Sequence, residues 1–424
     1  MPSIQPGVPA VVSDRLAADV ACLLRYGAAM LRAGTVSVRT RESIGRLSTA
    51  LGLDRITVDL TFDSITLTAD AAGQNVTSTI RVTGYVVNAA RLGALDRLGR
   101  DARPGLTPAE VEAQLDNIER TPPLRSTLTV SLAVALACAG FAYLNNGSPG
   151  VMLAAGVGGG FGQTLRMRLL GLRLNQFVVT ALCAIVASTI YCVFVAGLPL
   201  LGVATPRHAV GFISSTLFLI PGFPLVAALV DLVQGDFTVG VTRFVYGTML
   251  VLAGGFGICM IAGLANLSAT PPAPWQLGEL AGLLLRATAT FIGACGFAIL
   301  FNSPWSTVWT VGVLALLGND LRLGLQDAGM ALAPATFIGA LTVGLLASAG
   351  QRFINNQPRI ALTVPGTILM MPGTLLYTAL VRFAQGDTAG ALAAGVPAMF
   401  IIGAMAIGLV TARLLTDRTF LYDP

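Results

Sequence analysis

The sequence predicts a polytopic α-helical membrane protein, with ten transmembrane helices in a 5+5 inverted repeat behind a small N-terminal α+β soluble domain. Three observations predict it. Only 11% of the 424 residues are charged and 54% are hydrophobic, where a soluble domain carries about 25% charge. The charge is uneven, because residues 1–125 hold 14 of the 26 basic and 13 of the 21 acidic residues. Ordered polar matches then recur at steady offsets across the apolar remainder. The expected division is a cytoplasmic domain at 1–125, a first five-helix repeat at 126–268 and a second at 276–424.

Residues 1–30 contain Asp14, Arg15 and Asp19 and lack an uninterrupted apolar core, which argues against a signal peptide. Residues 14–33 place Leu16, Val20, Leu23, Leu24 and Leu31 near one helical face, and Gly34 fits a helix stop. A second helix is expected over 37–50, closed by Gly52. Alternating β-branched runs at 55–60, 64–68 and 76–82 read as a three-stranded meander. Helical patterns return at 85–98 and 107–118, the latter opened by Thr107-Pro108-Ala109-Glu110 as N-cap, first-turn Pro and acid.

Ten apolar stretches long enough to span (about 20 residues each) follow at 127–144, 151–169, 176–198, 209–233, 241–264, 280–301, 305–323, 331–348, 360–383 and 391–414. Turn residues punctuate them at 145–149, 270–274 and 355–358. Pro221-Gly222, Ala228-Leu229-Val230 and Gln234-Gly235-Asp236 recur 151 residues later as Pro372-Gly373, Ala379-Leu380-Val381 and Gln385-Gly386-Asp387. Gly140-Phe141-Ala142 and Gly162-x-x-Leu165-Arg166 recur 156 residues later as Gly296-Phe297-Ala298 and Gly318-x-x-Leu321-Arg322, and Asn146 corresponds to Asn302. Pro206-Arg207 pairs with Pro358-Arg359 across a one-residue gap.

An odd number of spans per copy inverts the second relative to the first. With both termini inside, ten Arg (120, 125, 166, 168, 173, 243, 352, 359, 413 and 418) lie on the cytoplasmic side against three (207, 322 and 382) outside, which the positive-inside bias favours. Inverted repeats are a recurring route to alternating access.

Several classes are excluded. All 26 basic residues are Arg, and those flanking spans account for the net charge of +5 without nucleic acid. Six Cys without a C-x-x-C, and a single His at 208, provide no zinc site. No nucleophile–base pair and no phosphate loop occurs, so neither catalysis nor a cofactor is expected. Asp59, Asp63, Arg39, Arg41 and Glu42 read as a solvated charged face, and the glycine run at 156–162 as close helix packing.

The expected substrate site lies at Pro-Gly pairs inside spans four and nine. Pro221-Gly222, Pro372-Gly373 and the further Pro365-Gly366 each remove a backbone donor and add a flexible point. In lipid, such a break needs protein or a wet cavity around it. Facing breaks present helix N-termini suited to a carboxylate. Asp231 and Arg382 occupy equivalent positions with opposite charge and either bind a zwitterion or, lying toward span ends, reach the interface; Arg286 is either a snorkelling residue or a cavity lining. Asp231, the most embedded acid, is the expected proton-coupling group.

The N-terminal motif Leu31-Arg32-Ala33-Gly34-Thr35-x-Ser37-x-Arg39, Ala50-Leu51-Gly52, Thr107-Pro108-Ala109-Glu110 and the two Pro-Gly/Gln-Gly-Asp blocks resemble the threonine/serine exporter family. The resemblance covers nearly the whole chain and includes the split form, in which the two membrane units are separate proteins. Family members carry an acid shortly before the arginine aligned with Arg39; residues 35–38 supply none. The resemblance implies a multi-pass inner-membrane exporter of threonine and serine driven by the proton-motive force. Split-form relatives imply dicarboxylates such as succinate instead. The partners implied are a small carboxylate-bearing amino acid, protons and the lipid bilayer, and a homo-oligomer is compatible with the layout. A membrane-anchored sensor is the competing reading from another class.

Overall fold

The computed structural model describes residues 14–53, 55–71, 74–202, 209–265, 275–351 and 357–417. The expected Pro206-Arg207 match, His208, Arg352, Arg418 and the turns at 270–274 and 355–356 lie outside them. The chain divides into two compact units, one of residues 1–122 with 231–243 and one of 123–230 with 244–424.

The first unit contains α1 (Asp14–Arg32), α2 (Ser37–Leu51), β1 (Arg55–Leu60), β2 (Ser64–Ala71), β3 (Gln74–Arg81), α3 (Ala89–Arg100) and α4 (Pro108–Arg120). The three strands form an antiparallel meander in the order β1-β2-β3. Val58, Leu60, Ile65, Leu67 and Ala69 point inward and are buried. On the outer face, hydroxyl pairs Thr66–Thr79 and Thr68–Thr77 (2.9 Å each) cross the strands. All five apolar residues expected on the inner face of α1 are buried. Gly27 lets α2 approach, since a Cβ there would sit 2.7 Å from Ile44 Cδ1. Gly52 closes α2 at φ +85°, where a side chain would be strained.

The expected helix at 85–98 begins only at Ala89. Val86 and Asn88 donate backbone hydrogen bonds to Arg32 and Ala33 carbonyls (3.0 and 3.2 Å), which holds residues 86–88 extended against the end of α1. Asn88 then caps α3 by accepting from Arg91 N–H at 3.0 Å. Thr107 and Glu110 form the reciprocal capping box of α4. Hydrogen bonds from Thr107 hold the exposed Glu110 carboxyl below its ordinary value. Arg25 of α1 fastens α4 through Glu112, Asp116 (2.6 Å) and Glu119 (2.7 Å).

The second unit is helical: α5 (Thr127–Leu144), α6 (Pro149–Gly171), α7 (Gln176–Gly197), α8 (Ala209–Ser214), α9 (Gly222–Val233), α10 (Phe237–Ala265), α11 (Glu279–Leu300), α12 (Trp305–Asp327), α13 (Leu332–Gly350), α14 (Arg359–Thr367), α15 (Gly373–Ala384) and α16 (Thr388–Thr416). The last residues of α9 and the first of α10 belong to the first unit. Among the described residues, α5, α7, α10 to α13 and α16 are long and apolar enough to cross a membrane. The α14–α15 pair, bent by 56°, makes an eighth candidate. Two expected spans miss this threshold for visible reasons. The α6 segment is diluted by its glycines and by Gln163, Arg166 and Arg168, and span four is divided into the short pieces α8 and α9.

Short turns carry matching backbone signatures. Asn146 and Asn302 adopt φ +64° and +56°, and Gly235 and Gly386 both adopt +81°. Helices α5 and α11 pack closely and antiparallel. A Cβ on Gly140 would lie 3.0 Å from Ala289 O, and one on Gly296 would lie 2.5 Å from Ala133 O. Those two contacts exchange under the 156-residue offset, a reciprocity that marks a local two-fold relation. The α6 glycines also serve packing: a Cβ on Gly156 would meet Ala135 O at 3.0 Å and one on Gly158 would meet Ala187 O at 2.7 Å.

Candidate functional site

Two broken elements meet in the membrane unit. In the first, a 3-10 turn at Leu217–Leu219 gives way to an extended Ile220. Pro221 has no N–H to continue the ladder, so Gly222 bonds back to Ile220 O (2.8 Å) and Leu225 to Pro221 O (3.1 Å). In the second, the turn Ile368–Met370 leads to an extended Met371. Gly373 bonds to Met371 O (2.8 Å) and Leu376 to Pro372 O (3.0 Å). A Cβ on Gly222 would lie 3.5 Å from Met371 Cε, and one on Gly373 would lie 3.3 Å from Ile220 Cδ1. These contacts also exchange under the 151-residue offset. The glycines thus let the two breaks abut.

A cavity of about 50 Å³ lies beside this junction, lined among others by Thr216, Ile220, Pro221, Gly254, Gly373 and Tyr377. It has room for a few waters only, and most of its lining is apolar. Pro365-Gly366, expected as a further break, lies within α14 and is buried. Pro365 withholds the N–H that would have bonded the Ala361 carbonyl, yet the helix runs on to Thr367. Gly366 instead admits Val343 of α13, whose Cγ1 would be 3.2 Å from a Cβ there.

The three ionisable residues expected at the substrate each have another partner. Arg286 pairs with Asp327 (2.6 Å) and Arg382 with Asp387 of its own turn (3.2 Å). Asp231 lies nine residues after Gly222, about 14 Å further along α9 at 1.5 Å per residue. It is completely buried and ion-paired at 3.0 Å with Arg243, itself 1% exposed.

The surroundings of Asp231 are the best-organised polar cluster in the first unit. Its Oδ1 accepts from Ser37 N–H (2.9 Å), so the carboxylate caps the first turn of α2. Ser37 Oγ lies 2.8 Å from Asp231 Oδ1 and 2.6 Å from Asp236 Oδ2, and its single proton serves one at a time. Arg41 donates to both Asp236 oxygens (3.2 and 2.8 Å), and Arg243 donates to Thr35 O (3.0 Å). Burial raises the Asp236 carboxyl, but the bonds from Arg41 and Ser37 outweigh it and leave it below its ordinary value.

Arg39, read from sequence as part of a solvated face, instead bonds Asp96 (2.9 Å), whose side chain is 1% exposed, as well as Glu42 (3.0 Å). The sequence marks both ends of the Asp231 cluster, as the Gly34–Arg39 motif and the Gln234-Gly235-Asp236 block. It has no local signal that joins them across nearly two hundred residues. Among the described residues no group of His, Cys, Asp and Glu could hold a metal ion.

Comparison with known proteins agrees with the layout. Residues 21–265 match the family described as "Putative threonine/serine exporter", and residues 286–415 match "Threonine/Serine exporter, ThrE". The chain is 25% identical to the "Threonine/serine exporter" of Corynebacterium glutamicum over 416 residues, covering 93% of this chain and 81% of that one. It is 29% identical to the "Probable succinate transporter subunit YjjP" of Escherichia coli over 240 residues, which is 56% of this chain and 91% of the relative. The protein of the same description from Klebsiella aerogenes is 28% identical over 234 residues, 54% of this chain and 88% of its own. No solved structure matches. With one family match over more than half its length and a second over most of the remainder, the chain belongs to the threonine/serine exporter family, and with it to the integral membrane transporters.

Proposed function

We propose that this protein is a secondary exporter of threonine, serine and similar small polar amino acids across the inner membrane. In this reading it is driven by the proton-motive force and works by alternating access of two inverted five-helix repeats. Ten helices then span the bilayer, with the 1–125 domain and both termini cytoplasmic, and the repeats at 126–268 and 276–424. The observation that carries the reading is the reciprocal packing of equivalent glycines. Gly140 and Gly296 let α5 and α11 cross antiparallel, and Gly222 and Gly373 bring the two breaks together. An antiparallel pair related by a local two-fold is what two copies of opposite orientation require, and each can then adopt the other's conformation.

In this reading Pro221, Gly222, Pro372 and Gly373 form the substrate passage, and the cavity beside them widens when one repeat moves against the other. The first turns of α9 and α15 leave backbone N–H groups for a substrate carboxylate. Pro365-Gly366 gives α14 a weak point behind the passage. Asp231, Arg286 and Arg382 act through the ion pairs they make, by fixing the helix ends around it.

The second reading, a dicarboxylate exporter of the same architecture, is favoured by the similarity of over half the chain to the succinate transporter subunit. Purified protein in proteoliposomes, loaded with threonine, serine or succinate and given an imposed pH gradient, separates the two. Threonine counterflow and gradient-driven threonine accumulation are expected. Succinate flux without threonine flux would transfer the assignment to the second reading, and flux of neither would end both.

A further inference from the structure

Five carboxylates occur among the described residues of the membrane unit, and four of them mark helix ends. Glu279 opens α11, Asp327 closes α12, Asp387 caps α16 and Asp417 follows it. Asp320 is the exception. It lies inside α12, seven residues before its last residue, or about 10 Å along the axis.

Among the described residues its hydrogen-bond partner is a hydroxyl, and Arg286 acts on it only from beyond ion-pair distance. Thr290 Oγ1 of α11 donates to Asp320 Oδ1 (3.1 Å) and accepts from Asn319 Nδ2 (3.1 Å). Asn319 is 1% exposed, and among the described residues its Oδ1 has no hydrogen-bond partner. One turn further on, Arg322 donates to Met370 O (3.1 Å), the carbonyl that ends the 3-10 turn before Pro372, while its buried Nε has no partner. Beyond Arg322, where α12 ends, Arg286 pairs with Asp327, whose side chain is 65% exposed. The α11–α12 seam is therefore a polar track. It runs from an exposed ion pair to Asp320, Thr290 and Asn319, and between them Arg322 reaches the broken element at Met370.

The first repeat has no such track. At the 156-residue offset Arg286, Thr290, Asp320 and Asp327 correspond to Val130, Val134, Thr164 and Gly171. Gln163 and Arg166 remain as counterparts of Asn319 and Arg322. A carboxylate has been placed in one copy only.

We infer that Asp320 is the carboxylate that carries the coupling proton, with the Asp327–Arg286 end of the seam as its access. This rests on the proton-driven export proposed above. A carboxylate among apolar helices without a direct ion pair is costly when charged and cheaper when neutral, so its protonation state responds to the access it is given. Asp231 differs in having a direct ion pair with Arg243 and a hydrogen bond from the Ser37 N–H. In the step itself, a proton from water forms an O–H bond at an Asp320 oxygen and neutralises it. Its later release to water on the opposite side restores the carboxylate. No electrons and no other group are transferred.

The charged groups on the helices around Asp320 are few. Helix α11 contributes Arg286 and, at its start, Glu279; α12 itself contributes Arg322 and Asp327. Helix α13 has none, and α14 has only Arg359, which donates to Thr416 (2.7 Å).

The test uses the full chain in proteoliposomes and reads threonine counterflow, which needs no net proton movement, beside accumulation driven by a pH gradient. Asp320→Asn is expected to keep counterflow and lose gradient-driven accumulation. Asp320→Glu should restore part of it. Thr290→Val removes a hydrogen bond to the charged form and should shift the pH midpoint of gradient-driven flux upward while leaving maximal counterflow unchanged. Gradient-driven accumulation intact in Asp320→Asn overturns the role of Asp320 alone. If Asp320→Asn does not fold, an unmoved midpoint in Thr290→Val overturns it instead. A wild-type protein with counterflow but no response to the gradient overturns proton coupling itself, and the assignment with it.

Discussion

The turn between α9 and α10 and the turn between α15 and α16 have one backbone and two chemistries. In both, a glycine at φ +81° reverses the chain. In both, the aspartate N–H that follows bonds a carbonyl five residues earlier, at 3.0 Å for Asp236 to Asp231 and 2.9 Å for Asp387 to Arg382. The side chains then diverge. Asp231 and Arg243 form a buried pair bonded by Ser37 and the Thr35 carbonyl of the N-terminal domain, whose Arg41 bonds Asp236. At the equivalent positions stand Arg382 and Ala394, and Arg382 pairs with Asp387 where both are about half exposed. The comparison teaches that a glycine turn sets the path of the hairpin, while its charge acquires consequence from what packs on it.

The comparison is open to attack at several strengths. The largest effect is expected from Arg243→Leu, which strands the Asp231 carboxylate in a fully buried position. Breaking such a pair from one side costs about 3–5 kcal/mol, so thermal unfolding of the purified protein should move to clearly lower temperature. Replacing both partners with Leu should recover much of the loss, since two apolar groups leave no orphan charge. A single variant as stable as wild type would break the contrast between the hairpins.

A middle-sized effect is expected from Ser37→Ala, which removes one hydroxyl donated to a carboxylate, about 1.5–3 kcal/mol for a bond to a charged group. The same site predicts a pH dependence. The folded-state value of Asp236 is lowered by Arg41 and Ser37 despite its burial. Its stabilisation is therefore complete above the ordinary carboxylate range and is lost as pH falls through and below that range. Thermal unfolding followed from neutral to acid pH should fall in the wild type and less steeply in Ser37→Ala. An equal slope in the two would remove Ser37 from the network.

The smallest effect belongs to the second hairpin. Arg382→Ala breaks an exposed pair of the kind worth at most about 1 kcal/mol, and unfolding should barely move. A loss as large as that of Arg243→Leu would mean that the exposed pair carries weight its surroundings do not suggest.

Much of the architecture could be read before any coordinates. The apolar face of α1, the meander, the capping box of α4 and the Pro-Gly breaks at 221–222 and 372–373 all follow from local patterning, because each depends on residues within a few positions of one another. Where local reading failed, a distant partner had intervened. The start of α3 was displaced because Val86 and Asn88 bond the end of α1. Arg39 left the solvated face because Asp96, far along the chain, lies beside it. Pro365-Gly366 stays within α14, which runs on to Thr367 although the proline leaves the Ala361 carbonyl without its ladder donor.

The sequence by itself determined the membrane class, through its composition and apolar stretches, and the kinship with exporters, through its motifs, since these are properties of order along the chain. Only the tertiary structure decided which charge meets which. That Asp231 meets Arg243 and Ser37, and that Asp320 meets the Thr290 hydroxyl, depends on side chains brought together from well-separated helices. Electrostatic energy in an apolar interior is set by those distances and by burial, and neither is written in the order of residues.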